Sequence, residues 1–168
     1  MRDIKHILDL GTGTGIIAIF LQFIKVNNPN FNPKIFASDI LEESIKCAQL
    51  NANVNNFDNK LNFINSDLFK SFPKYLKQLF DIVIFNPPYL PSLQKFTESN
   101  NKTRSGVSWD GGPKGIEVLM RFLCEVKDFV KKDAFIYFIS SSKSDLTQLN
   151  ENIKKLSFKN EILAKKHI

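Results

Sequence analysis

The sequence predicts an α/β fold with a largely parallel, doubly wound sheet and helices on both of its faces. Apolar segments of strand length alternate with longer segments of helical periodicity along the chain. Several strand-like segments end at a glycine, an aspartate or an asparagine, which indicates a shared crevice at one edge of a parallel sheet. A length of 168 residues with 43% hydrophobic content is sufficient for one core. We therefore predict a single domain over residues 1–168.

The predicted elements follow one another in alternating order. We expect strands over 4–10, 34–39, 61–66, 80–85 and 134–140, and helices over 15–23, 41–53, 115–130 and 144–156. Because strands and helices alternate, right-handed crossovers are expected to leave most strands parallel. The sixteen Phe residues are interpreted as core filling, since few other aromatic residues accompany them.

A glycine-rich turn follows the first predicted strand. Residues 7–15 read Ile-Leu-Asp-Leu-Gly-Thr-Gly-Thr-Gly, and an apolar helical segment comes next. Glycines at alternate positions allow a tight turn and a close approach of the backbone to a ligand, as in nucleotide-binding turns that lead into a helix. The turn alone is a weak signal, so its interpretation depends on the other strand ends.

Two further aspartates follow predicted strands. Asp39 ends the second strand and Asp67 follows the third. In a parallel sheet, Asp9, Gly11, Asp39, Asp67 and Asn86 would line the same edge. A carboxylate at the end of the second strand can accept hydrogen bonds from both hydroxyls of a ribose. Each aspartate alone is more often a helix cap or a turn former.

The most informative motif is Asn86-Pro87-Pro88-Tyr89, called the NPPY motif below. It directly follows the apolar run Ile82-Val83-Ile84-Phe85, so it predicts a rigid turn at a strand end. The Asn86 side-chain oxygen and the Pro87 carbonyl can each accept one hydrogen of a planar NH2 group, and Tyr89 offers a flat face. The simpler alternative is a strand terminator.

Together these motifs resemble the class I S-adenosylmethionine-dependent methyltransferases that methylate planar amino groups. The run Gly111-Gly112-Pro113-Lys114-Gly115-Ile116-Glu117-Val118 resembles the HemK-like glutamine methyltransferases, most closely their short eukaryotic and archaeal branch, which modifies class I peptide-release factors. The resemblance covers nearly the whole chain. It implies a Rossmann-like fold and N5-methylation of the glutamine in the Gly-Gly-Gln loop of a release factor.

The resemblance also implies roles for individual residues. Asp9 and Gly11 would contact the methionine end of S-adenosylmethionine, Asp39 the ribose, and Asp67 with Leu68 the adenine. The full cofactor-binding set is Asp9, Gly11, Thr12, Gly13, Gly15, Asp39, Ile40, Asp67, Leu68 and Asn86. Asn86, Pro87 and Tyr89 would be catalytic, and these three with Pro88 would bind the substrate. We expect the turn to orient the amide nitrogen, whose proton leaves only after the new C–N bond forms.

The predicted loop over residues 90–114 is the candidate for substrate selection. It is long for a connection within one domain, and such loops are usually functional or disordered. We expect it to act as a lid or to face the substrate. Deletion of residues 94–105 is then expected to impair methylation of a protein.

Composition adds weaker expectations. The net charge of +6 permits contact with nucleic acid, although a solvated helix face is the simpler explanation of the lysines in the last third. Cys47 and Cys124 have no neighbouring ligands at metal spacing, so we expect reduced core thiols and no metal. With no apolar segment of spanning length and no signal-peptide pattern, the predicted location is the cytoplasm, with the nucleus as a second compartment.

Both ends of the chain depart from the family pattern. Met1 stands immediately before the first strand, where family members carry a Pro-x-Glu-Asp-Thr-like segment, and residues 158–164 leave room for about one strand. We therefore expect a chain trimmed at both ends. The short branch also resembles proteins that need a small zinc-binding activator subunit, which would cover an exposed sheet edge and nearby apolar surface as a heterodimer partner.

Three alternatives remain open at this point. The NPPY motif could hold a flipped base, which predicts an adenine-N6 methyltransferase acting on DNA or RNA, although the chain has no room for a separate recognition domain. Lysine methylation is a second alternative, but an ammonium group lacks planar NH2 geometry. A non-catalytic subunit with a methyltransferase fold is the third.

Overall fold

The computed structural model describes residues 3–57, 59–92 and 109–166. The chain divides into two compact units, which are described separately. The first comprises Met1–Pro87 and Glu125–Ile139, and the second comprises Pro88–Cys124 and Ser140–Ile168. The NPPY motif spans the boundary, with Asn86 and Pro87 in the first unit and Pro88 and Tyr89 in the second.

The first unit contains a five-stranded sheet in which all strands are parallel, as predicted. Its strands lie in the order β3-β2-β1-β4-β5. Apolar, buried side chains fill most positions of the three central strands, as expected for strands covered on both faces. The bounds are β1 His6–Leu10, β2 Lys34–Asp39, β3 Leu61–Asn65, β4 Phe80–Phe85 and β5 Val130–Phe138.

Two helices connect the first three strands of the sheet. Helix α1 spans Ile16–Asn27 and helix α2 spans Glu42–Val54. Small residues on the helices meet apolar residues of the sheet in one cluster, which comprises Ala18, Ile35, Ala37, Ala52, Phe57 and Leu61. Helix α1 also exposes a stripe formed by Ile16, Phe20, Phe23 and Val26, which are 56–67% exposed. The prediction that the Phe residues fill the core is therefore wrong for Phe20 and Phe23.

An aromatic cluster joins the segment that follows β3 to Phe80 of β4 and to Phe129, the residue before β5. The ring of Phe69 stacks on the ring of Phe129, with centroids 4.5 Å apart and an interplanar angle of 12°. Phe72 meets both rings edge to face, at 5.0 and 5.6 Å, and also contacts Phe80. Such pairs add stabilisation beyond their buried area. They anchor the segment that follows β3.

Strand β5 begins earlier than predicted. The sequence pattern predicted one helix over 115–130, whereas helix α3 ends at Glu125, a 3₁₀ turn spans Val126–Asp128, and β5 begins at Val130. The register between β4 and β5 shifts between Phe80 and Ile82, so the charged residues 131–133 lie at an irregularity. Because β5 is the outermost strand, it tolerates charges that mask its strand pattern in the sequence.

The second unit contains most of helix α3 and all of helix α4. Helix α3 spans Glu117–Glu125, of which Glu125 belongs to the first unit, and helix α4 spans Leu146–Lys155. The Asp145 side chain caps α4 by accepting a hydrogen bond from the Gln148 N–H at 3.0 Å. No strand forms over 158–166, where the sequence left room for one. Cys47 is half-buried but Cys124 is exposed, so the expectation of a core thiol is wrong for Cys124.

No helix among the described residues is long and apolar enough to span a membrane. Within the same residues, no group of three or more His, Cys, Asp or Glu side chains has the arrangement of a metal site.

Candidate functional site

The glycine-rich turn is fastened to the end of β2 by its backbone. The Thr12 N–H donates to the Ser38 carbonyl and the Gly13 N–H donates to Asp39 Oδ2, both at 2.9 Å. The Gly15 N–H closes the turn on the Thr12 carbonyl at 2.9 Å. These hydrogen bonds define the shape of the turn.

Two glycines of this turn meet different surroundings. Gly15 has φ +83°, and a Cβ there would lie 2.9 Å from Ala48 Cβ, so a side chain would push α2 away. A Cβ on Gly13 would have no atom within 4 Å. Gly15 thus serves packing, whereas the backbone at Gly13 borders open space that a ligand can approach.

Asp9 is a buried carboxylate with one unused oxygen. Its Oδ2 accepts hydrogen bonds from Thr12 Oγ1 at 2.6 Å and from the Ala18 N–H at 3.1 Å. Its Oδ1 is buried and has no hydrogen-bond partner among the described residues. Burial raises the pKa of Asp9 to about 6, although the bonds from Thr12 and Ala18 oppose that rise. A cationic ligand at Oδ1 would satisfy the orphan oxygen and favour the ionised form.

The methionine end of S-adenosylmethionine, with its ammonium and sulfonium charges, fits this environment. Asp9 supplies the negative charge, and the turn at Gly11 and Gly13 supplies close backbone approach. The donor set is therefore compatible with the predicted cofactor.

Asp39 ends β2, as predicted, and holds two backbone segments. Its Oδ2 accepts from the Gly13 N–H and its Oδ1 accepts from the Leu41 N–H, each at 2.9 Å. Each carboxylate oxygen has a second lone pair, so both remain capable of accepting from a ribose hydroxyl. The next residue, Ile40, has a side chain 48% exposed and can offer an apolar surface to a planar ring.

Asp67 and Leu68 lie two and three residues beyond the end of β3. Asp67 forms an ion pair with Lys70, Nζ to Oδ2 2.6 Å, in addition to its other interactions. Leu68 is buried and has φ +49°, a left-handed conformation that is strained for leucine. Ser66 holds the segment, because its N–H donates to the Asp39 carbonyl and its Oγ accepts from the Ser71 N–H, both at 2.9 Å. Leu68 is therefore held in place by this segment and is buried in the core.

Asn86 is exposed directly beyond β4, and Pro87 after it is buried. Strands β1 and β4 pair in register up to Leu10 and Phe85, so Gly11 and Asn86 leave the sheet at the same level. A Cβ on Gly11 would lie 3.8 Å from the Asn86 carbonyl oxygen. The start of the NPPY motif is thus adjacent to the glycine-rich turn, as the strand-end prediction requires.

Within the second unit, a short ladder holds the residues after the motif. Leu90 pairs with Asp110 in an isolated parallel bridge, with the Leu90 N–H donating to Trp109 O at 3.1 Å. The Gly111 N–H donates to Leu90 O at 2.8 Å, and a Cβ on Gly111 would lie 2.7 Å from Pro88 O. The described ends of the predicted 90–114 loop are therefore ordered, and residues 93–108 lie outside the described residues.

Sequence reasoning missed one buried residue next to the motif. The Ser144 hydroxyl donates to the carbonyl of Tyr89 at 2.7 Å, across 55 positions of sequence. Nothing in the local sequence around Ser144 distinguishes it from its neighbours Ser140, Ser141 and Ser142, so no sequence signal identifies this contact.

Comparison with known proteins adds sequence relatives. Residues 2–167 match the family described as Methyltransferase domain. A protein of Methanocaldococcus jannaschii named as an N5-glutamine methyltransferase is 34% identical over 163 residues, covering 96% of this chain and 74% of the relative. The eRF1 methyltransferase catalytic subunit of Schizosaccharomyces pombe is 31% identical over 176 residues, covering 99% and 73%. A release factor glutamine methyltransferase of Bacillus cereus is 32% identical over 138 residues, and the chain spans 45% of its length.

Solved structures share the fold at low identity. A ribosomal protein L11 methylase from Lactobacillus delbrueckii matches with a TM-score of 0.68 and 17% identity, over 99% of this chain and 67% of that one. The predicted Rossmann-like fold is confirmed.

Proposed function

We propose that this chain, which belongs to the methyltransferase-domain family, methylates the glutamine of the Gly-Gly-Gln loop in a class I peptide-release factor. The methyl donor is S-adenosylmethionine. One observation carries the proposal: Asn86, which would hold the amide, leaves the sheet beside Gly11 of the turn that would hold the donor. Two relatives named for glutamine methylation, at 34% and 32% identity, and one named for eRF1 methylation, at 31%, support this acceptor.

The cofactor would be held at the carboxyl ends of β1, β2 and β3. Asp9 and Gly11 would contact its methionine end, Asp39 its ribose, and Asp67 with Leu68 its adenine. When bound, it supplies an electrophilic methyl group on a sulfonium. The buried Asp9 would hold positive charge at this end of the crevice.

The NPPY motif would act on the acceptor by orientation. The lone pair of an amide nitrogen is delocalised into its carbonyl, so the nitrogen is a poor nucleophile in its planar form. The Asn86 side-chain oxygen and the Pro87 carbonyl would each accept one N–H, and Tyr89 would pack on the amide plane. These contacts favour a pyramidal nitrogen aimed at the methyl carbon. The C–N bond forms as the C–S bond breaks, and the now acidic proton leaves to water.

The direct test is transfer of a labelled methyl group from S-adenosylmethionine to a release factor carrying its Gly-Gly-Gln loop. The control acceptor is the same protein with Gln→Ala, and an adenine-containing oligonucleotide is assayed in parallel. Label on the first acceptor alone supports the proposal. Label on the oligonucleotide in place of the release factor would overturn it and favour adenine-N6 methylation.

The role of Asn86 is tested by Asn86→Ala. We expect transfer to be abolished while S-adenosylmethionine binding, measured by calorimetry, changes by about twofold or less, because the side chain would act on the acceptor. Asn53→Ala, at an exposed asparagine of α2, is the matched control. Joint loss of binding and transfer in Asn86→Ala would contradict a positioning role.

We further propose that a small zinc-binding activator subunit covers the exposed stripe of α1. Ile16, Phe20, Phe23 and Val26 form an apolar surface, and such surfaces mark interaction sites. The S. pombe relative is itself named a catalytic subunit, which supports a second chain. The cytoplasm, where release factors act, is the proposed location.

Coexpression with the activator tests this surface. We expect Phe20→Glu with Phe23→Glu to abolish copurification of the two chains. Tyr75→Glu is the control, because Tyr75 is also exposed, at 76%, but lies in a 3₁₀ turn over Lys74–Leu76, outside α1 and outside the sheet edges. Retained copurification of the double variant would exclude the stripe as the interface.

A further inference from the structure

The carbonyl of Tyr89 is held from two directions within the second unit. Ser144, only 8% exposed, donates its hydroxyl to this carbonyl at 2.7 Å. A Cβ on Gly115 would lie 2.7 Å from the same oxygen and 2.9 Å from Ser144 Oγ. Gly115 has φ +70°, so both its conformation and its close approach exclude a side chain. The Tyr89 carbonyl therefore has little freedom to turn.

The segment that carries Ser144 is fixed to the glycine run. The Asp145 N–H donates to Lys114 O at 3.0 Å, and Lys114 Nζ lies 3.4 Å from Asp145 Oδ2. The Ser144 N–H is also used, donating to Ser141 O at 3.1 Å. These bonds place the hydroxyl independently of the Tyr89 side chain.

The peptide before Tyr89 is restrained as well. Gly111 approaches Pro88 O so closely that a Cβ would lie 2.7 Å away, and its N–H donates to Leu90 O at 2.8 Å. Pro88 adds a fixed φ of its own. Contacts from residues 111–115 and from Ser144 thus restrain the backbone at three consecutive residues, Pro88, Tyr89 and Leu90.

We propose that Ser144 is a positioning residue for methyl transfer, acting through the Tyr89 carbonyl. By fixing that carbonyl, its hydroxyl sets the direction in which the Tyr89 ring leaves the backbone, and so the plane on which the acceptor amide packs. The inference rests on the proposed function, because it assumes a planar NH2 acceptor on Tyr89. Reaction rates respond steeply to small errors of orientation, so a lost anchor outside the reacting groups lowers turnover.

Ser144→Ala tests the inference against the control Ser142→Ala, which removes an exposed hydroxyl from the same connection. In Ser144→Ala we expect kcat to fall about tenfold or more, with KM for the acceptor and Kd for S-adenosylmethionine changed about twofold or less. Ser144→Thr, which keeps a hydroxyl, is expected to recover most of kcat. Wild-type kcat in Ser144→Ala, or a loss that only tracks thermal unfolding and cofactor affinity, would overturn the inference.

The assay uses whichever acceptor the wild type methylates, the release factor or the adenine-containing oligonucleotide. Label on the oligonucleotide alone rejects the proposed function, while the variants still decide the role of Ser144. A second measurement needs no acceptor: the ¹³C carbonyl resonance of Tyr89 is expected to shift in Ser144→Ala and not in Ser142→Ala. An unchanged resonance would overturn the inference even if the wild type methylates neither acceptor.

Discussion

Asp9 of β1 and Asp81 of β4 are buried carboxylates in neighbouring strands of one sheet, but their surroundings are opposite. Asp81 accepts from the N–H groups of Lys5 and His6, each at 3.0 Å, and pairs with Lys131 at 2.7 Å. Burial acts to raise the pKa of Asp81, but the bonds from Lys131, Lys5 and His6 outweigh it and lower the pKa. At Asp9, burial outweighs the bonds from Thr12 and Ala18, so the pKa rises to about 6.

The difference in surroundings distinguishes Asp81, a structural carboxylate, from Asp9, whose surroundings suit a cationic ligand. Asp81 has its charge compensated within the fold and fixes β5 to the start of β4. Asp9 keeps a buried oxygen without a partner among the described residues, which destabilises the ionised form until a cation arrives. Substitutions at the two aspartates and at their partners test this contrast.

Asp9→Asn removes the charge with little change of shape. We expect S-adenosylmethionine to bind about 100-fold more weakly, because the partner of a buried cationic contact is lost. Isothermal titration at neutral pH measures the effect. Asp81→Asn, measured below its unfolding transition, is expected to keep wild-type affinity. Equal losses in both variants would erase the distinction between the two aspartates.

Lys131→Met leaves Asp81 without its cation. We expect the free energy of unfolding to fall by about 2 kcal/mol, less than for a fully enclosed pair because Lys131 is partly exposed. Urea denaturation provides the measurement, and Lys132→Met, at an exposed lysine of the same strand, provides the control. A stability equal to wild type would mean that the two backbone donors alone hold Asp81.

Asp9→Asn should also stabilise the ligand-free protein. Because the folded pKa of Asp9 lies above its ordinary value of 3.8, the wild type loses stability as pH rises from about 4 to about 6. The charge accounts for about 3 kcal/mol at neutral pH, and we expect a net gain of about 1.5 kcal/mol after the cost of burying an unpaired amide NH2 group.

We expect the free energies of unfolding of wild type and Asp9→Asn, measured across roughly pH 4 to 7, to show the sign of this stability difference. This range is the window in which Asp9 titrates. The gain should disappear near the acidic end. Asp81 contributes in the opposite direction, since its lowered pKa gives stability that is lost as pH falls through the folded pKa. If Asp9→Asn is less stable than wild type at neutral pH, the charge of Asp9 does not destabilise the folded protein.

Thr12→Val gives the smallest expected effect. The hydroxyl of Thr12 lowers the pKa of Asp9 and orients its carboxylate, so its loss should weaken cofactor binding about fivefold, or about 1 kcal/mol. Thr14→Val, at an exposed threonine of the same turn, should bind as wild type. The same titration calorimetry measures both variants.

The sequence predicts the central strands well because burial on both faces leaves continuous apolar runs. Strands β2 and β4 have the predicted bounds, and Asp9, Asp39 and Asn86 stand at the predicted edge. The pattern fails at β5, where Lys131 is a strand residue whose charge is compensated by Asp81, 50 positions away. The contact of Ser144 with Tyr89 is not predicted for a similar reason, since it is set by tertiary structure. Periodicity detects local burial and is insensitive to such distant pairs.

The aromatic cluster beneath Asp67 and Leu68 has a thermodynamic consequence. Phe69 stacks on Phe129, and Phe72 closes against both rings, so the segment that would receive adenine is anchored before any ligand is present. Coupled folding on binding produces a large negative heat-capacity change. Here the heat-capacity change on binding should reflect only the ligand surface and the crevice surface that the ligand covers, because the adenine segment is already folded.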